Sequence, residues 1–476
     1  MKFTLPESFK NLLDNFTRAF SSPESCTSFV ALVCGWVLCT GRCSISRVIQ
    51  WCRAVGVDKH HSAFYRFFSD ARWTTDNLGA VLIRLALRFI DGQDVKVVID
   101  DTRCRRSGPH LWGAGMHMDP LRSTYGRRAV KRVVSTLFGH CWVVASLWVP
   151  LPWKPGAGIA VPVAARLYRP KKRCPEGDYY KLSELGGQLI ALVRSRVPEE
   201  RRVVVAADTE YACNVVVRNL PPGVEFIGPM HMKAAFYAPP PPRPQGKRGP
   251  DRKKGDRLPS PQQLIDDDQV PWQRRTINLY GRQVDVLVKT QVGLWYHVAG
   301  TRPVRMIVTR DPKGRIEDRA YFTTDPNMGV DEIASGFSCR WSAEVMHRDV
   351  KQHLGLEEPQ NGWWRRPAGE RRPRNAPGPQ PHAHRGKLAA GRTVPFVLFT
   401  YSIVVLWYLQ HGRPDDDVAR VRRLAPWYRH KKTPSFADML AAARRKLWAA
   451  RFSAKPISSA ARRKSDEAVL DLLLAA

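Results

Sequence analysis

Two Val/Ile-rich runs that end on acids constrain this chain more than any other feature. The first is DVKVVIDD, Asp94 to Asp101, and the second is RRVVVAAD, Arg201 to Asp208. Each is short and continuously apolar, the pattern of a strand buried on both faces. Ahead of the second run, Leu182, Leu185, Leu189, Ile190, Val193 and Val197 recur at helical spacing. A helix that crosses between two such strands makes them parallel, so the chain is α/β. The stretch KRVVSTLFGHCWVVASLWV, Lys131 to Val149, reads as a pair of strands joined through Gly139, and GIAVPVAARLY as a further strand. A short helix in TEYACNVVVRNL and a strand in VEFIG follow Asp208.

Around this core the composition marks five segments. Residues 1–92 are expected to form a helical N-terminal domain, read as DNA-binding. In it Ile45, Val48, Ile49 and Cys52, then Phe64, Phe67 and Phe68, flank the turn VGVDKHH, with Arg47, Arg53, Lys59 and Arg66 nearby. That arrangement fits a helix-turn-helix reader of DNA, and equally two helices packed for stability. Residues 93–230 are the first part of the core. Residues 231–301 form an insertion with a basic Pro-rich loop, Ala238 to Pro261, and a hairpin turning at Tyr280-Gly281. Residues 302–412 are the second part of the core, with a hairpin turning at DPKG, a helix from Phe337 to Gly355, and a basic loop from Asn361 to Lys387. Residues 413–476 are a basic helical tail.

Lys and Arg number 76 against 43 Asp and Glu, a net charge of +33. A folded chain this basic binds a polyanion, nucleic acid first. The longest apolar runs, Phe29 to Cys39 and Phe396 to Leu409, fall short of the roughly 18–20 residues that span a bilayer, and read as buried core helices. The N-terminus has no apolar run of the signal-peptide kind, so a cytoplasmic location is expected. The ten Cys form no CxxC pair. Cys34, Cys39 and Cys43 read as core residues in a reducing compartment rather than zinc ligands.

The helix FSCRWSAEVMHRDVKQHLG carries the most chemistry. Arg340, His347, Arg348 and Lys351 all fall within about 60° of Glu344 around the helix axis. Ala343, Met346, Val350 and Leu354 lie behind them and face a core. As i,i+4 pairs, Arg340–Glu344 and Glu344–Arg348 would add only a few tenths of a kcal/mol each to an exposed helix. Asp101 and Asp208 give the face another meaning. Both end strands, and the carboxyl ends of parallel strands are where α/β sheets collect ligands. Three converging carboxylates can hold two divalent cations about 3.5–4 Å apart for phosphodiester chemistry. The neighbouring cations would then grip the substrate phosphates, Arg340 in bidentate fashion.

These residues resemble a known family. The spacing of Arg340, Glu344 and Lys351 matches the Arg-Glu-Lys part of the Y-(2)-R-(3)-E-(6)-K signature of DDE-class bacterial insertion-sequence transposases. VVIDDT and VVVAADTEY resemble the surroundings of that family's first and second catalytic Asp, and the resemblance runs from about Ser44 to Leu409. It implies a ribonuclease-H-like catalytic core interrupted by a β-rich insertion. It also implies Asp101, Asp208 and Glu344 as catalytic Mg²⁺ ligands, with Mn²⁺ as a substitute, and phosphate contacts from Arg340 and Lys351. Arg348 joins them from the helix face. The implied partners are double-stranded DNA at the element ends and the target, and a second copy of the chain in a homodimer. The implied location is the bacterial nucleoid, with no membrane. Phe337 stands where the signature has Tyr. Asp100 adjoins Asp101, and Asp101 is preferred because it immediately precedes Thr102. The expected reaction is DNA cleavage and strand transfer. The alternatives are a non-catalytic DNA-binding relative and a host nuclease of the same fold. Trp295, Trp363 and Trp364 could stack on bases, but packing explains each as well.

Overall fold

The computed structural model describes residues 5–54, 56–57, 59–107, 111–119, 122–123, 134–175, 177–243, 249–279, 281–359 and 384–453. Five helices come first: α1 (Glu7–Asp14), α2 (Pro23–Leu38), α3 (Ile45–Ala54), α4 (His61–Ser69) and α5 (Thr75–Ala86). Ser22 and Thr74 cap α2 and α5 by accepting the backbone N–H of Ser25 and Asn77. Ile45, Val48, Ile49 and Cys52 on α3 and Phe64, Phe67 and Phe68 on α4 all point into the core. Lys59 is occupied there, donating to Glu24 O and Ser28 Oγ.

The sheet starts with β1 (Asp94–Arg105), β2 (Gly115–Met118), β3 (Thr136–Pro150) and β4 (Gly158–Tyr168). Next come α6 (Leu182–Arg194), β5 (Arg202–Ala207), α7 (Asn214–Val217) and β6 (Val224–Pro229). β3 pairs antiparallel with both β4 and β1, and β5 pairs parallel with both β1 and β6. This mixed α/β sheet, with α6 as the crossover, is consistent with a ribonuclease-H-like core. The β1–β5 register ends at Ile99 opposite Ala207. Asp100 and Asp208 are therefore the next residues on adjacent strands. β5 ends there, but β1 runs on beside β3 to Arg105, so the acids expected at the end of the first strand lie within it, at the point where it outruns β5.

β3 departs from expectation. It is one 15-residue strand that runs straight through Gly139. No turn forms there: Gly139 pairs with Arg105 in the β1–β3 ladder, so close that a Cβ would strike the backbone carbonyl of Cys104. The glycine marks a close approach of backbones, not a chain reversal.

The sheet then continues past β6. After β7 (Phe236–Tyr237), β8 (Arg257–Leu258) and α8 (Pro261–Asp266) come β9 (Gln273–Leu279), β10 (Arg282–Gly293), α9 (Tyr296–Ala299), β11 (Val304–Arg310) and β12 (Arg319–Thr323). Both expected hairpins form, β9–β10 and β11–β12. β12 pairs antiparallel with β6, so the hairpins extend the main sheet to ten strands.

The remaining helices are α10 (Val330–Ser338), α11 (Trp341–Leu354), α12 (His384–His411), α13 (Pro414–Leu424) and α14 (Phe436–Ser453). The single helix expected from Phe337 to Gly355 is thus two. At the junction the bonds tighten to i,i+3, from Arg340 N to Phe337 O and from Ser342 N to Cys339 O. The Ser338 and Ser342 hydroxyls also donate to the carbonyls of Ser335 and Cys339, competing with the helical ladder. α12 packs on β4, where Ser402 Oγ donates to Pro162 O at 2.6 Å. Among the described residues α12 is the one helix long and apolar enough to cross a bilayer, and 83% of its most apolar window is buried inside the fold. Cys34, Cys39 and Cys43 are buried and free. Trp295 is buried. Trp363, Trp364 and nearly all of the Asn361–Lys387 loop lie outside the described residues.

Candidate active site

Alternation along β1 sends its two acids to opposite faces. Asp101 shares a face with Ile99, which approaches Gly186 of α6 and, like it, packs near Tyr211. Asp100 shares a face with Lys96, which borders a groove with Cys339 and Trp341. Asp100 is thus the acid that looks toward α11. Its Oδ2 lies 3.7 Å from His347 Nδ1. Burial holds that imidazole down to about 3, so the contact joins a neutral ring to a carboxyl and is no ion pair. His347, counted in the sequence as part of a cationic face, is instead buried and uncharged. Its helical angle puts it on the inward edge of the stripe, against β1.

Arg340 sits among the acids. Its Nη2 donates to Glu344 at 2.6 Å, and its charge is felt by Asp100 and Asp208 as well. Asp101 pairs instead with Arg103 at 2.5 Å and accepts from Cys141 Sγ at 3.7 Å. Asp208, one residue past β5, accepts the backbone N–H of Glu210. Burial, and then the Asp101 charge, push Asp100 up to about 8. Burial also raises Asp101 and Glu210, with Asp208 adding repulsion to both. These carboxyls crowd one another with too little positive charge to compensate.

The other two cations part company. Lys351 Nζ donates to Arg103 O at 2.7 Å, tying the last turn of α11 to β1. Arg348 turns away from Glu344 and pairs with Asp349 at 2.9 Å, its side chain largely exposed.

A family model for DDE superfamily endonucleases matches residues 12–283. The chain belongs to the DDE endonuclease superfamily. A second model, for archaeal transposases of the ISC1217 type, matches residues 290–370. The first match spans Asp100, Asp101 and Asp208, and the second spans Arg340, Glu344 and Lys351. Together they support a transposase and a nuclease-type enzyme. None of the curated proteins matches this chain.

DDE superfamily endonucleases generally use divalent metals, and this donor set suits one: hard carboxylate oxygens, crowded and raised by mutual repulsion. Among the described residues no three acid, His or Cys side chains stand close enough to close on one ion. Arg103 and Arg340 lie against Asp101 and Glu344 instead.

Sequence reasoning missed three residues that shape the site. Glu210 follows Asp208 by two positions and adds a carboxyl; its place in TEY was the available signal. Arg103 neutralises Asp101. Arg106 is 8% exposed, and its hydrogen bonds go to carbonyls and a ring nitrogen. It donates to the carbonyls of Arg105, Leu356 and Glu357 and to His140 Nδ1. It clasps the end of α11 to the end of β1 across 250 residues of chain, and no local pattern signals that role.

Proposed function

We propose that this protein is a transposase that binds the ends of its element and cuts and rejoins DNA there. The observation that carries this reading is the Arg340 guanidinium among Asp100, Asp208 and Glu344, where β5 ends beside β1. Asp208, Glu344 and one of the Asp100–Asp101 pair would hold the divalent ions, Mg²⁺ or Mn²⁺. Bound there, the ions would supply an activated water or 3′-hydroxyl and stabilise the leaving oxygen. The chain's own groups position the DNA. Arg340, released from Glu344, offers a planar fork to a phosphate. Arg348, exposed on the same helix, adds a second contact, and Lys351 a third at the strand end it already braces. Asp100 is supported as the first ligand by its facing toward α11, and Asp101 by its place before Thr102. DNA-bound dimers on the nucleoid complete the reading.

The test is Mg²⁺-dependent cutting of a labelled duplex that carries the element's own end, by the full chain and by Asp208→Asn and Glu344→Gln. Wild type cuts, while both variants bind with little change and do not cut. Full cleavage by Asp208→Asn would overturn the assignment. Binding without cleavage by wild type would make the protein a non-catalytic DNA-binding relative.

A further inference from the structure

The described residues that most expose large apolar side chains lie far from the acids in sequence, in the connector between α13 and α14. Trp427 is 75% exposed and Leu424 71%, with Tyr428 beside them at 54%. From Val418 to Ala437 the chain has no acid and six Lys or Arg. Arg420, Arg423 and Lys432 are exposed and make no hydrogen bond or ion pair among the described residues, so their charge is uncompensated.

The connector is built to hold this arrangement. Arg422 Nε donates to Lys431 O at 2.8 Å, closing the loop across its base, and Lys431 pairs with Asp438 at 2.5 Å. A tight turn, with Tyr428 N on Ala425 O, holds Trp427 and Tyr428 outward, their ring centroids 6.3 Å apart. The root of α13 is fixed as well. Asp417 is buried, accepts from the Tyr408 hydroxyl at 2.8 Å and pairs with Arg445. With Asp417 and Val418 held inward, Arg423 falls on the far side of α13, and Leu424, its last residue, stays exposed.

We propose that this connector is a second contact for duplex DNA, separate from the acid site. Arg420, Arg423 and Lys432 take backbone phosphates, while Trp427 and Leu424 pack on sugar and base edges in the groove between them. Charge decides the occupant. An apolar protein face would meet unpaired cations here, whereas a phosphate backbone neutralises them and releases counterions. The proposal rests on the DNA-processing reading above, and it gives that reading an anchor outside the catalytic edge.

The experiment is binding of the full chain to a labelled 30-base-pair duplex across a KCl series. Wild type is compared with Trp427→Ala and with the triple change Arg420→Gln, Arg423→Gln and Lys432→Gln. Neutralising these three phosphate-binding side chains flattens the slope of log K against log[KCl] by about 2.7. Trp427→Ala weakens binding about fivefold or more, at an unchanged slope. A wild-type slope in the triple variant overturns the proposal and leaves the proposed function standing. A change in sedimentation coefficient with unchanged DNA binding also overturns it, and assigns the patch to a second copy of the chain. No duplex binding by wild type would defeat the underlying reading itself.

Discussion

Replacing Arg106 tests how the Glu344 helix is held against the Asp strand. In Arg106→Met the flat guanidinium gives way to a neutral chain of similar reach. Four bonds vanish: 3.0 Å to Arg105 O, 2.7 Å to Glu357 O, 3.3 Å to Leu356 O and 3.2 Å to His140 Nδ1. Arg105 O lies nearest the surface and can regain water. Glu357 O is part-buried, while Leu356 O and His140 Nδ1 are buried and left without a donor at about 1–3 kcal/mol each. Against that, the desolvation of a buried cation, several kcal/mol, no longer has to be met. The balance is a loss of about 3 kcal/mol, large beside a total stability of roughly 5–15 kcal/mol yet short of unfolding. Arg106→Lys keeps the charge but not the fork, and should lose about half as much. Urea unfolding midpoints at pH 7 give the numbers, and hydrogen exchange in the peptide containing Leu356 and Glu357 locates the loosening. A loss below about 1 kcal/mol in Arg106→Met, with unchanged exchange at the end of α11, would refute the clasp.

Two other outcomes follow from the same region. His140 accepts from Arg106 at Nδ1 and donates from Nε2 to Trp112 O, and burial holds its ring down to about 3. The unfolded ring titrates near its ordinary ~6.5, so the unfolded state binds the extra proton as pH falls. The stability that His140 contributes is therefore complete above ~6.5 and is lost below it, by about 2 kcal/mol between pH 7 and pH 5. His140→Gln should remove that share of the pH dependence of the urea midpoint; an identical pH dependence in the variant would contradict it. For the adjacent acids, Asp100→Asn should abolish Mg²⁺-dependent nicking of a labelled duplex, whereas Asp101→Asn should retain measurable nicking while losing its Arg103 ion pair. The reverse order would show that the residue before Thr102 is the ligand, and that the facing of β1 misleads.

Local pattern determined much of this protein. The Val-rich runs, the amphipathic crossover segment and the turn residues at 281 and 311–314 respond to neighbours a few positions away, so their strands, helix and hairpins could be placed before any packing was known. The acids that close the two apolar runs were legible for the same reason, and so was the apolar back of α11, although β1 itself runs on past its acids to Arg105. The tertiary structure decided what depends on partners far along the chain. Which of Asp100 and Asp101 looks toward Glu344 follows from the layers that cover β1, and strand alternation alone does not say which layer holds α11. His347 is neutral because burial outweighs its place in a basic stripe. Gly139 resembled a turn but lies mid-strand, paired with Arg105 and close against Cys104 O. Arg106, lost in sequence among 76 basic residues, becomes distinctive only when Leu356 and Glu357 arrive beside it. Hydrophobic period and turn chemistry act over one or two turns of chain, whereas desolvation and hydrogen-bond partnership are properties of the packed whole.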